Sequence, residues 1–370
     1  MFAIRIKMIR LYYKNDTIMQ KIEKKQQQIL GLFLEFGSLS SSKVHHLLTQ
    51  KTEEDISLVT IKRELSQETD AGLLQPSGNG RARIYTITTR GRIFADIDAR
   101  SYCNIEPDSR YGLKQFNFEL LPSMPPDLFT SNELTILKQA TQMYRKRTTD
   151  LPPAIMKKEL ERLLIELSWK SSKIEGNTYT LLDTEKLILE HKEAPGHTKE
   201  EAIMILNHKN AFTFIHENTH EFHTLTRMNL EELHRILVKD LSVGFGLRQK
   251  PVGVVGSLYR PLDNIHQIEE AVEQLATAIT RMETPYTKAF VALLGLSYVQ
   301  PFEDGNKRTA RLMANALLIS HACAPLSYRS VEENAYREAT LVFYELNSVM
   351  PFKKIFIDQY VFAAENYAVK

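Results

Sequence analysis

Residues 300–311 constrain the local fold of this chain more than any other segment. They read Gln-Pro-Phe-Glu-Asp-Gly-Asn-Lys-Arg-Thr-Ala-Arg, which places two acids, a Gly-Asn pair and three cations close together. Gly305 and Asn306 punctuate the chain, and residues 309–320 are apolar at helical spacing, so the sequence predicts a helix that starts near Asn306. Its first backbone N–H groups and the positive end of its dipole would attract an anion in the preceding loop.

Charged side chains in the same segment suit a phosphate and its metal. Arg308 and Arg311 are three residues apart, so they share one face of the predicted helix. Asp304 is a carboxylate that would hold a Mg²⁺ bridging phosphate oxygens. The ordinary alternative is a charged helix start. Four residues of this pattern do not identify a phosphate site by themselves. Residues 78–81 read Gly-Asn-Gly-Arg, but strand-like residues 84–88 follow them, so this run predicts a hairpin turn.

The longer segment resembles the Fic motif, usually written His-x-Phe-x-(Asp/Glu)-Gly-Asn-Gly-Arg-x-x-Arg. The matching positions are Phe302, Asp304, Gly305, Asn306, Arg308 and Arg311. Gln300 stands at the histidine and Lys307 at the usual glycine. In Fic proteins that histidine takes the proton from a target's hydroxyl as it attacks the α-phosphate of ATP, which leaves AMP on Ser, Thr or Tyr. A glutamine amide has no pKa near neutrality and cannot serve as this base.

The resemblance implies ATP and Mg²⁺ as cofactors and a protein target with a hydroxyl side chain as partner. Asp304 would hold the metal, and the phosphates would meet Gly305, Asn306, Lys307, Arg308 and Arg311, with Arg311 at the γ-phosphate. Gln300 would occupy the catalytic position without a base, so AMP transfer is expected to be slow or absent. Two alternatives stay open: a non-catalytic nucleotide-sensing regulator, and a kinase similar to the Doc toxin, which also has a lysine at the position of Lys307.

An upstream segment, residues 171–176, reads Ser-Ser-Lys-Ile-Glu-Gly. It resembles the inhibitory motif Ser/Thr-x-x-x-Glu-Gly/Asn that many Fic proteins carry on a helix ahead of the core. The resemblance implies that Glu175, at the end of a helix over about 152–176, pairs with Arg311 and so takes the cation needed by the γ-phosphate. An arginine–carboxylate pair of this kind is directional. An exposed glutamate at a helix end is the simpler alternative.

Residues 250–260 are the one clear strand region of the second half, and they predict a short hairpin. Together with residues 246–248 they resemble the flap by which Fic enzymes align a target through backbone pairing. The predicted flap residues are Val252, Gly253, Val254, Val255 and Gly256. A hairpin that merely faces solvent is the alternative.

A length of 370 residues is enough for two domains. Apolar periodicity predicts ten helices over residues 131–370, so the expected class is mainly α: an all-helical Fic fold with a small β-hairpin flap, preceded by a small α+β domain. Residues 21–95 predict three helices and a two-stranded hairpin, which resembles a winged helix-turn-helix with residues 60–65 in the recognition helix and Arg81 and Arg83 on the wing. Residues 1–20 are expected to be an N-terminal extension, with Met8 and Met19 as alternative starts, and 96–130 a proline-rich linker.

Composition limits the remaining classes. Residues 21–95 contain eleven Lys/Arg and eight Asp/Glu, a net charge of +3, so the first domain suits either DNA or a protein partner, and residues 53–55 (Glu-Glu-Asp) would repel phosphate. Two cysteines far apart, Cys103 and Cys323, indicate neither a disulfide framework nor a zinc site, which fits a cytoplasmic location. No signal peptide and no run of 18 apolar residues is present, so no membrane partner is expected. The oligomeric state leaves no mark in the sequence.

Overall fold

The structure is a computed structural model that describes residues 19–52, 55–126 and 128–367, without the side chains of residues 19–23 and 81. Nearly all of the predicted N-terminal extension, Glu53, Glu54 and the side chain of Arg81 therefore lie outside the described residues. Most of the described chain is helical, which confirms the expected mainly α class. The chain divides into two compact units. One contains the described residues up to Gly112 together with Glu345–Pro351, and the other contains Leu113–Tyr344 and the residues from Phe352 onward.

The first unit combines short helices with a three-stranded antiparallel sheet. Its elements are α1 (Met19–Phe36), β1 (Leu39–Ser40), α2 (Ser41–Thr52), α3 (Leu58–Asp70), β2 (Leu74–Ser77), β3 (Ile84–Ile87), α4 (Thr89–Phe94) and α5 (Ala99–Cys103). The strand order is β1-β3-β2, and Leu74 lies opposite Ile87, so the predicted hairpin around residues 78–81 is confirmed. Strand β1 was not predicted, because two residues are too short to show an alternating pattern.

Helix α3 starts and ends at residues suited to those positions. Ser57 precedes it and accepts a hydrogen bond from the backbone N–H of Thr60 at 3.1 Å. Gly72 follows with φ of +72°, a left-handed conformation that costs glycine little. The inward face buries Ile61 and Leu65 completely. It also buries Glu68, whose carboxylate oxygens have no hydrogen-bond partner among the described residues.

We expect the stability of this unit to fall as pH rises, because burial, and then the charge of Glu64, raise the pKa of Glu68 to about 9. Above pH 4.5, the ordinary pKa, the unfolded chain loses this proton while the folded chain keeps it. The free energy of unfolding therefore falls between about pH 4.5 and about pH 9. Glu68→Gln should therefore raise the free energy of unfolding by about 1 kcal/mol or more at pH 8 relative to its effect at pH 5. Thermal melting would show this as a larger rise in melting temperature at pH 8. Asp70→Asn, an exposed acid on the same helix, is the control. Equal effects of Glu68→Gln at both pH values would contradict the assignment.

The second unit is a helical bundle. Its helices are α6 (Ser131–Thr149), α7 (Pro153–Ile174), α8 (Leu181–Glu190), α9 (Lys199–Glu217), α10 (Arg227–Leu237), α11 (Ile265–Arg281), α12 (Pro285–Val299), α13 (Asn306–Ser320), α14 (Glu333–Leu346) and α15 (Met350–Asn366), of which the last two meet at the residues assigned to the first unit. The sequence pattern predicts helices over 199–217, 285–299 and 306–320, and α9, α12 and α13 have these bounds. Helix α12 is buried on every side and packs against α13, so these two helices form the centre of the unit.

Residues 250–260 differ from the predicted hairpin. They form an extended loop with a turn at Val255 and Gly256, where the N–H of Ser257 donates to the carbonyl of Val254 at 3.2 Å, and no strand is assigned. Pro251 lacks an N–H donor, Gly253 and Gly256 have no side chain to pack, and Val255 is 98% exposed. The alternation seen in the sequence therefore has no buried face to stabilise a strand pair. In the part of the chain that the structure describes, no helix is long and apolar enough to cross a membrane.

Candidate functional site

The candidate site lies around the loop between α12 and α13. Gln300 ends α12 in the left-handed conformation, with φ of +51°, and Gly305 precedes α13 with φ of +78°. Asn306 fixes the loop between them: its Oδ1 accepts from the N–H of Phe302 and its Nδ2 donates to the carbonyl of Phe302, both at 2.8 Å. Because a side-chain amide replaces a backbone pairing here, the loop has one defined shape.

A histidine that sequence reasoning missed supports the same loop. His234, on α10, stacks on the fully buried ring of Phe302 with centroids 3.7 Å apart and an angle of 4° between the planes. Its Nε2 lies 3.0 Å from the carbonyl oxygen of Asp304, so Nε2 carries the hydrogen. Burial lowers the pKa of His234 to about 4, which keeps the ring neutral at physiological pH. In the sequence His234 lies within the apolar stripe of Leu230, Leu233 and Leu237, which was the available signal.

The predicted phosphate-binding arginines are buried, while the predicted metal ligand is exposed. Arg308 and Arg311 are 2% and 0% exposed, and the side chain of Asp304 is 67% exposed. Arg308 Nη2 donates to Asp304 Oδ2 at 3.2 Å. The Nη1 atoms of both arginines have no acceptor among the described residues. Burial lowers the pKa of Arg308, so this guanidinium is strongly desolvated and has unused donors beside the start of α13.

The structure brings Glu175 to the same place. It follows α7 as the C-cap residue, and its Oε1 is 2.8 Å from Arg311 Nη2. Lys307 Nζ lies 3.6 Å from the other carboxylate oxygen, Oε2. Burial acts to raise the pKa of Glu175, but the charges of Arg311, Lys307 and Arg308 outweigh it and lower the pKa below its ordinary value. The carboxylate is therefore ionised and paired with two cations.

Gln300 connects the two helices instead of facing solvent. Its side chain is buried, and Nε2 donates to the carbonyl of Ser297 at 2.9 Å while Oε1 accepts from Asn306 Nδ2 at 3.3 Å. Its backbone carbonyl accepts from Arg248 Nε at 2.7 Å. The amide therefore acts as a bridge within the loop, and its chemistry offers no proton acceptor of useful basicity.

These groups surround a cavity of about 220 Å³. Its lining includes Glu175, Gln300, Asp304, Gly305, Asn306, Lys307 and Arg308, together with Met204, Glu303 and the predicted flap residues Val252, Gly253, Val254 and Val255. Arg311 and Gly256 are not part of the lining. Among the described residues no group of three or more His, Cys, Asp or Glu side chains is placed to hold a metal ion. The site thus combines phosphate-type donors with an apolar loop at its mouth.

Arg248 connects that loop to the motif and was predicted only as part of the approach to the flap. Its guanidinium is buried and donates to the carbonyls of Gln300, Lys250 and Leu262. Its backbone N–H donates to the carbonyl of Pro301 at 2.9 Å. One planar fork therefore positions both the loop at 250–260 and the first residue of the motif.

Residues 224–318 match the model of the Fic/DOC family. "Protein adenylyltransferase fic-1" of Caenorhabditis briggsae is 26% identical over 184 residues, which cover 48% of this chain and 36% of that protein. "Protein adenylyltransferase Fic" of Nematostella vectensis is 26% identical over 187 residues, which cover 50% and 44%. The chain spans less than half the length of these curated relatives.

Solved structures show a similar fold. A Fic family protein from Desulfovibrio desulfuricans aligns with a TM-score of 0.54 at 19% identity, covering 65% of this chain and 75% of that one. A Fic domain containing signaling protein from Bacteroides thetaiotaomicron aligns with a TM-score of 0.51 at 20% identity, covering 62% and 94%. At these identities the similarity is one of fold.

We expect Arg248→Lys to destabilise the site, because one ammonium cannot replace the fork that reaches three carbonyls. The loss of charged hydrogen bonds to buried carbonyls should cost about 2 kcal/mol or more. Thermal melting of the variant measures this cost. Arg260→Lys, at an exposed arginine of the same segment, is the control and should melt within about 1 °C of the parent. Equal melting temperatures for the two variants would show that Arg248 does not position the loop.

Proposed function

Because residues 224–318 form a Fic/DOC family domain, we propose that the chain binds ATP in the cavity above α13, is restrained by Glu175, and transfers AMP to a protein hydroxyl slowly or not at all. The observation that carries this proposal is the Glu175 carboxylate, whose Oε1 lies 2.8 Å from Arg311 Nη2, close to Nη1 atoms of Arg308 and Arg311 that have no acceptor among the described residues. A carboxylate in that position occupies cations suited to a phosphate.

The start of α13 supplies the phosphate-binding groups. The backbone N–H groups after Gly305 and the guanidinium of Arg308 would meet the α- and β-phosphates, and Arg311 would meet the γ-phosphate once Glu175 has moved. Asn306 fixes the loop that presents these donors. The buried unpartnered nitrogens of Arg308 and Arg311 favour an anionic ligand, since leaving such donors without an acceptor is costly.

Magnesium fits this arrangement. Asp304 is exposed at the cavity and has one oxygen beside Arg308, and Mg²⁺ is usually held by one or two carboxylates, water and the phosphates of the substrate. When bound there, the ion would neutralise phosphate charge during transfer. The chain's own contribution is to hold the Asp304 carbonyl and Gly305 in place through His234.

The chemistry of Gln300 limits the activity. Its Oε1 already accepts from Asn306, and an amide has little basicity, so it can orient a hydroxyl but cannot remove its proton. Loss of a general base typically lowers the rate about 10²–10⁴-fold. The target would approach along residues 252–254, the extended segment that precedes the turn at Val255 and Gly256, because extended backbone suits strand addition. The expected target is a protein that presents a hydroxyl side chain.

Two variants test binding and transfer. Calorimetry with ATP and Mg²⁺ should give a dissociation constant about tenfold or more lower for Glu175→Gly than for the parent, because the variant frees Arg311. Adding Gln300→His to Glu175→Gly should restore self-labelling from ATP labelled at the α-phosphate, with a gain of about 100-fold or more.

Glu193→Gly, at an exposed loop acid of the same unit, is the control for the change in charge. No heat with ATP in either the parent or Glu175→Gly would disprove nucleotide binding. A folded double variant that stays unlabelled would disprove AMP transfer, and label from the γ-phosphate alone would assign the chain to the Doc-like kinase alternative.

A second candidate function is a nucleotide-sensing regulator that binds duplex DNA through the first unit. The observation in its favour is the exposed face of α3, which carries Val59, Lys62, Arg63 and Ser66 at positions i, i+3, i+4 and i+7. The acids Glu64 and Glu68 of the same helix are buried on the other side. The outward face of α3 is therefore more basic than the net charge of +3 over residues 21–95 indicates. Its arginine, lysine and apolar side chain are suited to contact phosphates and base edges.

We expect fluorescence anisotropy to show salt-dependent binding of duplex DNA, and Lys62→Ala with Arg63→Ala should lower both the affinity and the salt slope, by about two units of slope. Lys157→Ala with Lys158→Ala, an adjacent exposed pair on α7, is the matched control. No binding at low salt would exclude DNA and leave protein docking as the role of this unit.

A further inference from the structure

The Glu175 carboxylate is held by two cations from one helix. Arg311 Nη2 lies 2.8 Å from Oε1, and Lys307 Nζ lies 3.6 Å from Oε2. The two cations come from consecutive turns of α13, four residues apart, so they project on one face. Arg311 is completely buried, whereas the side chain of Lys307 is 34% exposed and lines the cavity. Lys307 therefore contacts the Glu175 carboxylate from within the cavity lining, and Arg311 contacts it from the buried interior.

The backbone around Glu175 is firmly held, so the carboxylate reaches the two cations from a fixed position. Arg337 donates to the carbonyl of Ile174 at 2.6 Å, and Asn177 Nδ2 donates to the carbonyl of Glu201 at 2.9 Å. The N–H of Glu175 itself donates to the carbonyl of Ser172 at 3.0 Å. Release of the cations consequently requires the side chain of Glu175 to turn away while its backbone stays in place.

We infer that Lys307 joins Arg311 as the second cation of a site for a terminal phosphate, next to the carboxylate of Glu175. The inference rests on the proposed nucleotide binding and adds Lys307 as a residue that selects a triphosphate. A phosphoryl group presents more oxygens and more negative charge than a carboxylate, so both cations favour it once Glu175 turns away. A nucleoside diphosphate has no phosphate at this site, so Lys307 does not increase its affinity.

Lys307 then acts in two opposite ways. It strengthens the contact of Glu175 with α13, which lowers nucleotide affinity, and it contacts the bound terminal phosphate, which raises affinity. In the parent chain, Lys307→Met removes both contacts, so the gain in nucleotide affinity from weakening Glu175 offsets the loss of the phosphate contact. In the Glu175→Gly background only the contact with phosphate remains, so the full effect of Lys307 is measurable there. Positions 175 and 307 must therefore be coupled energetically.

Calorimetry on four full-length chains tests this coupling: the parent, Lys307→Met, Glu175→Gly and the double variant, each with ATP and with ADP in the presence of Mg²⁺. In the Glu175→Gly background, Lys307→Met should weaken ATP binding about tenfold and ADP binding less than about twofold. In the parent background the loss for ATP should be smaller. Thermal melting of all four chains verifies that each is folded.

Lys250→Met is the matched control, because Lys250 is an exposed lysine near the mouth of the cavity, 3.8 Å from Glu303, and does not pair with Glu175. Equal effects of Lys250→Met and Lys307→Met, or an equal loss for ATP and ADP, would overturn the two-cation site and leave the proposed nucleotide binding intact. Absence of ATP binding in both the parent and Glu175→Gly would overturn the proposed function and this inference with it.

Discussion

The burial of the Arg311 guanidinium is the constraint around which the second unit is organised. Removing such an ion from water costs several kcal/mol, and the cost must be met by partners of good geometry. Arg311 Nε and Nη2 donate to Oγ and the carbonyl of Ser171 at 2.9 and 2.8 Å, and its guanidinium lies 5.7 Å from the ring centre of Tyr336. Helices α7, α13 and α14 each supply one side of this arrangement.

The remaining partner of Arg311 is Glu175, and this contact connects stability with function. Burial alone acts to lower the pKa of Arg311, yet the Glu175 carboxylate raises it above its ordinary value. The same carboxylate takes the position in which we place the terminal phosphate. The fully buried guanidinium of Arg311 therefore already has a counter-ion, and a ligand that binds there must replace it. Under the proposed function, nucleotide binding therefore exchanges one anion for another beside a buried cation.

Much of this site follows from local sequence. A Gly-Asn pair before an apolar helical pattern was enough to predict the start of α13, and apolar residues at helical spacing predicted α9 and α12. The pairing of Glu175 with Arg311 was predicted from motif resemblance, and the structure places the two side chains together. These features depend on capping, periodicity and the spacing of motif residues, all of which a single sequence carries.

Other features depend on tertiary contacts and left no clear trace. His234 looked like one more residue of the inward face of α10, and only packing reveals its stack on Phe302. The alternating residues 252–255 predicted a strand, but a strand needs a neighbour and a buried face, and this loop has neither within the described residues. Lys307 was predicted only as a phosphate-binding residue, and the tertiary structure adds that its Nζ lies 3.6 Å from Glu175 Oε2.

The most direct test is a crystal structure of the chain with Mg²⁺ and a non-hydrolysable ATP analogue. The account predicts that the terminal phosphate lies within hydrogen-bond distance of Arg311 and that the Glu175 carboxylate has moved away from its present 2.8 Å contact. A triphosphate bound elsewhere, with the contact between Glu175 and Arg311 intact, would contradict the claim that Glu175 guards a nucleotide site.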